Sequence, residues 1–280
     1  MTSKQHSIIG LPGSGKTTFL AALWHLLDAG EVSSKFTLEK LSGDNTYLNN
    51  IVEAWRKCDE VPRTSIAAES DVSIHVRNTA TSQTAILHFS DLSGESFDQQ
   101  FAKRTCSKDY VQGFESDGGI LLFVTADRAS EGMTILDLPA VAIEDTPGPL
   151  EIEHPEWSPE KVPTQVRLVD LLQFIQHPPF RHGFRRLAVI ISAWDVIDTP
   201  NLQPIKWLER ELPLLFQFLK SNPDTFDFQV YGVSAQGGDV TGPQKSELVE
   251  AIPSQRIACV GPNTEQHDLT SPIAWLMSGG

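Results

Sequence analysis

Apolar, β-branched runs recur along this chain at Ser7–Gly10, Ala85–Ser90, Gly119–Thr125, Leu187–Ser192 and Phe228–Ser234, separated by segments long enough to hold helices. Strands that are apolar at nearly every position are buried on both faces, and a βα alternation sets them in a parallel sheet. The run Asp71–Arg77 differs, because DVSIHVR alternates polar and apolar residues and only NTATSQ separates it from Ala85–Ser90. That spacing predicts a hairpin, with this strand antiparallel at an edge. Helical spacing is clear at Lys16–Leu27, where Phe19, Leu20, Leu23, Trp24 and Leu27 share a face, and at Asn45–Lys57, where Tyr47, Leu48, Ile51, Val52 and Trp55 do. Val166–Gln176, Pro204–Ser221 and Ser271–Met277 follow. Pro204 suits a first helical turn, and Pro213 is expected to kink or split its helix. The expected fold is α/β and three-layered: a mostly parallel six-stranded sheet with one antiparallel edge strand and helices on both faces.

Between the first strand and the first helix stands GLPGSGKT, residues 10–17, a complete GxxxxGK[ST] loop. Glycines at such a junction turn successive backbone N–H groups toward a nucleotide's phosphates, with the positive end of a helix dipole behind them. This makes the fold a P-loop NTPase. Gly10, Gly13, Ser14, Gly15, Lys16, Thr17 and Thr18 are the phosphate-binding candidates. Lys16 is expected to reach the β- and γ-phosphates and Thr17 to ligate Mg²⁺.

The strand Ala85–Ser90 runs into Asp91-Leu92-Ser93-Gly94-Glu95. A carboxylate at a strand's C-terminal end can hold Mg²⁺ through water, and Gly94 lets the backbone approach a γ-phosphate. Here the chain resembles the Ras-like GTPases, whose DxxG turn opens the second switch region. Two further motifs of that family follow in order. Ser192-Ala193-Trp194-Asp195 stands in the place of the guanine-reading NKxD, and Ser234-Ala235-Gln236 resembles the SAK loop that closes over the base. The resemblance implies that Asp195 accepts hydrogen bonds from guanine N1–H and the 2-amino group, which adenine cannot offer. The family's Asn and Lys are replaced by Ser192 and Ala193, so the lysine that packs over the base is missing. Glu95 stands where the family places a water-orienting glutamine. Thr64, in Val61-Pro62-Arg63-Thr64, is the candidate for the first-switch threonine that meets Mg²⁺ and the γ-phosphate.

More narrowly, TTFLAALWHLL after the P-loop, a helix with Trp55 leading to Pro-Arg-Thr, DLSGE, and a closing Asp268-Leu269-Thr270-Ser271-Pro272 resemble the bacterial double-GTPase families of defence gene clusters. That likeness implies a GTP-dependent switch with GTP and GDP as ligands, working with protein partners. Two other readings share the same sheet. The altered Ser192–Ala193 favours an ATPase or nucleotide kinase, although no arginine-rich lid is evident. Glu95, whose charge would sit near the γ-phosphate, favours a nucleotide-loaded scaffold with slow turnover.

Length and charge narrow the partners. A chain of 280 residues suits one domain, 1–280, with an inserted helix at about residues 44–60 and an acidic insertion at about 127–163. The stretch Asp127–Val162 carries nine acidic and two basic residues and five prolines, and reads as an irregular excursion. A net charge of −14 repels nucleic acid and anionic lipid, leaving proteins as the expected partners, met through the switch regions, the inserted helix or the acidic loop. Cys58, Cys106 and Cys259 form no CxxC pair, which fits a reducing compartment. With no apolar signal core and no membrane-length apolar run, the expected location is the cytoplasm.

Overall fold

β1 (Lys4–Gly10) begins the chain as a strand because Ser7, Ile8 and Ile9 are buried on both faces of a sheet, and it ends where Gly10 turns into the P-loop. The computed structural model describes residues 3–43, 45–61, 72–89, 95–127 and 158–278. After β1 come α1 (Lys16–Ala29), β2 (Phe36–Ser42), α2 (Asn45–Arg56), β3 (Val72–Asn78), β4 (Thr84–Phe89), α3 (Glu95–Lys103), α4 (Lys108–Gln112) and β5 (Ile120–Thr125). Then follow α5 (Thr164–Phe174), β6 (Arg185–Ser192), α6 (Pro204–Glu211), α7 (Pro213–Ser221), β7 (Phe226–Ser234), α8 (Lys245–Glu250), α9 (Pro253–Arg256), β8 (Ala258–Val260) and α10 (Ser271–Met277).

The sheet has eight strands in the order β2-β3-β4-β1-β5-β6-β7-β8. The centre, β4-β1-β5-β6-β7, is parallel throughout. β3 runs antiparallel to β4, β2 antiparallel to β3, and β8 antiparallel to β7. The six expected strands are all present, but the expectation of six with one antiparallel edge is corrected on two counts. β3, expected at the edge, is covered by β2, and β8 adds a second antiparallel border. β2 escapes a hydrophobic pattern because only Phe36 in it is buried, and three-residue β8 is too short to show a period.

Helices cover both faces. One core layer joins α1, α2 and α10 to Ile8, Leu121, Phe123, Ala188, Ile190 and Tyr231 of the sheet. The other joins α3, α4, α5, α6 and α7 to Ile9, Ile120, Leu122, Leu187, Val189 and Ile191. The spacing in α1 predicts a single buried face. The helix buries nearly all round, including Ala21, Ala22 and Leu26, because α2 and α9 pack against it as well as the sheet. Pro213 does split its helix: α6 and α7 part at Leu212, whose φ −125° and ψ 59° leave the helical region. The closing Asp268–Pro272 run is structural. Asp268 is fully buried, and its carboxylate accepts from Thr270 N (2.8 Å), Thr270 Oγ1 (2.6 Å) and Lys35 N (3.4 Å), tying the start of α10 to the entry of β2. Among the described residues no helix is long and apolar enough to cross a membrane.

His6 gives the sheet a pH dependence. It is fully buried, its Nδ1 accepts the Gly119 N–H at 2.9 Å, and its Nε2 has no partner among the described residues. Burial, helped by the charge of Lys4, holds its pKa down at about 4 against the ordinary 6.5. Between these values the unfolded chain binds a proton that the folded chain does not. The contribution of His6 to stability is therefore complete above pH 6.5 and is lost on the way down to pH 4, by about 3 kcal/mol in all. Urea unfolding followed across this window is expected to show the decline, and His6→Gln to flatten it. An equal slope in both proteins would rule His6 out as the cause.

Candidate functional site

The P-loop follows β1, the strand flanked by β4 on one side and β5 on the other, where the direction of strand addition reverses. In open α/β sheets ligands bind beyond the carboxyl ends of the strands at such a switch point. Gly13 (φ +72°) and Gly15 (φ +87°) adopt left-handed backbone that other residues resist, and Gly15 caps α1. The Phe19 N–H to Gly15 carbonyl bond (3.0 Å) closes the first turn of α1. The amides of Gly15, Lys16, Thr17 and Thr18 are then the ones with no acceptor inside the helix, a donor set suited to phosphate oxygens.

Lys16 is only 3% exposed. Its Nζ donates to the carbonyls of Gly10 (2.7 Å) and Leu11 (3.1 Å), reaches Ser14 Oγ at 3.5 Å, and lies 5.6 Å from the centre of the Phe97 ring. An ammonium withdrawn this far from water needs polar partners, and the two loop carbonyls and the ring face are among those it has. Phe97 comes from α3, which the Arg167–Asp98 ion pair and the Arg104–Asp170 pair (2.5 Å) tie to α5. Thr17 and Thr18 are half-buried in the first turn. The side chains of this loop thus fit a phosphate with its Mg²⁺: a buried cation, a hydroxyl at Thr17, and an amide cradle too tight for a Cβ at Gly15.

That tightness comes from the end of β6. A Cβ on Gly15 would lie 2.8 Å from both Cβ and Oγ of Ser192 at the end of β6. The end of β6 therefore packs directly against the P-loop. Ala193 takes a left-handed conformation (φ 52°), and a 3₁₀ turn at Trp194–Val196 carries Asp195. Asp195 is exposed, and its carboxylate makes no hydrogen bond among the described residues, so it is not spent on capping its own turn. Trp194 lies flat on Gly232 of β7, where a Cβ would come within 2.3 Å of the indole. In the neighbouring register Ser192 pairs with Val233, which sets the Asp195 turn beside the loop leaving β7. In that loop Ser234 is buried and its Oγ accepts from Gly237 N at 3.1 Å, while the Ala235 carbonyl accepts from Trp55 Nε1 at 2.9 Å.

Of the candidate site residues, the structure gathers Gly10, Gly13, Ser14, Gly15, Lys16, Thr17, Thr18, Asp195, Ser234 and Ala235 at the carboxyl ends of β1, β6 and β7. Thr64, Asp91 and Gly94 lie outside the described residues. Glu95 is the first residue of α3, with its side chain outside the description. Sequence reasoning does not foresee Phe97 beside Lys16, Trp194 on Gly232, or Trp55 on the Ala235 carbonyl. Only Gly232 carries a signal, since a lone glycine within a strand marks a close approach.

A family model described as Double-GTPase 1 matches residues 7–276. Among solved structures, the chain is similar to the G domain of the T. maritima FeoB iron transporter, with 13% identity, 89% of this chain and 98% of that chain covered, and a TM-score of 0.34. It is also similar to Sup35 complexed with GDP, with 14% identity, 85% of this chain, 39% of that chain and a TM-score of 0.34. At that TM-score neither likeness adds weight. Comparison with curated proteins gives no match. The family match spans the P-loop, the Trp194–Val196 turn and most of α10, and on it the chain belongs to the Double-GTPase 1 family.

Proposed function

We propose that the chain is a Mg²⁺-dependent GTP-binding and GTP-hydrolysing switch that works with protein partners in the cytoplasm, as part of a bacterial defence system. One observation carries the reading: the buried Lys16 loop and the unengaged Asp195 turn meet through the Gly15–Ser192 contact at the carboxyl edge of the sheet. Lys16 and the first-turn amides hold the phosphates. Asp195 accepts from the guanine N1–H and 2-amino group, and the Ser234–Gln236 backbone closes over the base. Thr17, Asp91 and Thr64 are the residues proposed to hold Mg²⁺, which when bound would supply charge to neutralise the phosphates. Gly94 offers its amide to the γ-phosphate, and loss of that phosphate frees the loops it had ordered. Glu95 is proposed to hold the attacking water as an acceptor. The resemblance to double-GTPase families supports the defence setting and the partners.

The altered Ser192–Ala193 pair favours an ATPase as the second reading, and Glu95 a slow-turnover scaffold. Purified chain with Mg²⁺ is expected to bind GTP at least about a hundredfold more tightly than ATP, because two hydrogen bonds to a charged acceptor separate the bases, and to release phosphate from GTP. Equal affinity for ATP would overturn the guanine reading. Tight GTP binding with no phosphate release over hours would leave the scaffold.

A further inference from the structure

Trp55, in the last turn of α2, is fully buried, yet its polar atoms serve a loop 180 residues away. Its Nε1 donates to the Ala235 carbonyl at 2.9 Å. Its own carbonyl accepts from Gln236 Nε2 at 3.2 Å and from Arg256 Nη2, also at 3.2 Å. The Arg256 guanidinium lies 4.7 Å from the centre of a Trp55 ring, and the His25 ring of α1 lies 5.2 Å away. Gly237, at φ +94°, backs onto the same arginine so closely that a Cβ there would come within 2.7 Å of Arg256 Cβ and its carbonyl. Residues 235–237 are thus fastened from outside the sheet, by α2 on one hand and α9 on the other.

A buried indole N–H must find an acceptor, and a buried carbonyl left without its donor is costly. The Trp55–Ala235 bond is therefore an obligatory one, and it joins the inserted helix to the loop that follows β7. We propose that Trp55 is a positioning residue for the Ser234–Gly237 loop, and that α2 through it sets the rate at which nucleotide is released. The second half rests on reading this loop as the segment that closes over the base. Trp55 does not touch nucleotide; it holds the loop backbone in its binding conformation. A loosened loop acts mainly on dissociation, since affinity differences among variants of one site lie mostly in the off-rate. Any force that shifts the outward face of α2, where Asn49, Asn50, Glu53 and Arg56 are exposed, is felt at the loop.

The test uses Trp55→Phe in the full chain, which keeps a flat apolar ring for Arg256 and His25, removes the Nε1–H and leaves a cavity where the second ring of the indole was. Two readouts are taken. Hydrogen exchange at the amides of residues 235–237 is expected to speed up without nucleotide. Dissociation of a fluorescent GDP, chased with unlabelled GDP, is expected to quicken on the order of tenfold, with the association rate unchanged. Leu48→Ala, a cavity in the same helix at a residue that makes no hydrogen bond to the loop, is expected to lower stability and leave release alone. Unchanged exchange in Trp55→Phe overturns the positioning role. Raised exchange with unchanged release overturns the link to release, and so does equal acceleration by Leu48→Ala. A wild-type chain that binds neither GTP nor GDP overturns the site reading and its link to release, while the exchange result still decides the positioning role. If Trp55→Phe does not fold, Gln236→Ala removes the other α2 bond and is read in the same way.

Discussion

Lys16→Ala is expected to abolish tight nucleotide binding, weakening GTP and ATP alike by about thirtyfold or more. Removing one partner of a buried, hydrogen-bonded charge pair costs about 2–5 kcal/mol, and Lys16 is the cation proposed to meet the phosphates. The loss falls on every nucleotide equally because the phosphates are common to all. Lys16 also has work inside the loop, where the Gly10 and Leu11 carbonyls accept from it at 2.7 and 3.1 Å. Thermal unfolding of the variant therefore belongs beside the binding measurement. A folded Lys16→Ala protein that still binds GTP within tenfold of wild type would show that the phosphates lie elsewhere.

Asp195→Ala is the opposite kind of change: a large loss for guanine and little for anything else. Its carboxylate is exposed and free of its own turn. Truncation should move stability by no more than about 0.5 kcal/mol. Two hydrogen bonds to a charged acceptor are worth roughly 1.5–3 kcal/mol each, so GTP affinity is expected to fall by about a hundredfold or more. Xanthosine and adenine nucleotides, which do not present that pair of donors, are expected to be spared. Competition by GTP, XTP and ATP against one fluorescent probe measures all three at once. If GTP binding is unchanged in the variant, guanine is not read by Asp195.

Lys16 and Asp195 are both legible in the amino-acid sequence, because the P-loop and the SAWD turn are local: a few adjacent residues carry the whole signal. The same holds for the split at Pro213, where one ring removes one backbone donor. What escapes is what depends on distant residues. β2 lies at the border with one buried side chain, so its sequence carries no burial pattern to read. α1 reads as one-sided because α2 and α9, which bury its other flanks, meet it only in the fold. Trp55 counts as one apolar position among five on α2, and nothing around it in sequence points to Ala235 or Arg256. Ser192 reads as a departure from a motif. Its packing against Gly15 gives it a physical role, closing the seam between the P-loop and the turn that carries Asp195.

The stacking of Trp194 on Gly232 gives the chain an optical reporter of its own. The indole is half-exposed and sits one residue before Asp195, on a strand surface with no side chain to move aside. A base held by Asp195 would alter the water around that ring, and emission from an indole follows its hydration. Nucleotide arrival and departure can then be followed in the unlabelled protein, with Trp194→Phe identifying the signal among the six tryptophans of the chain.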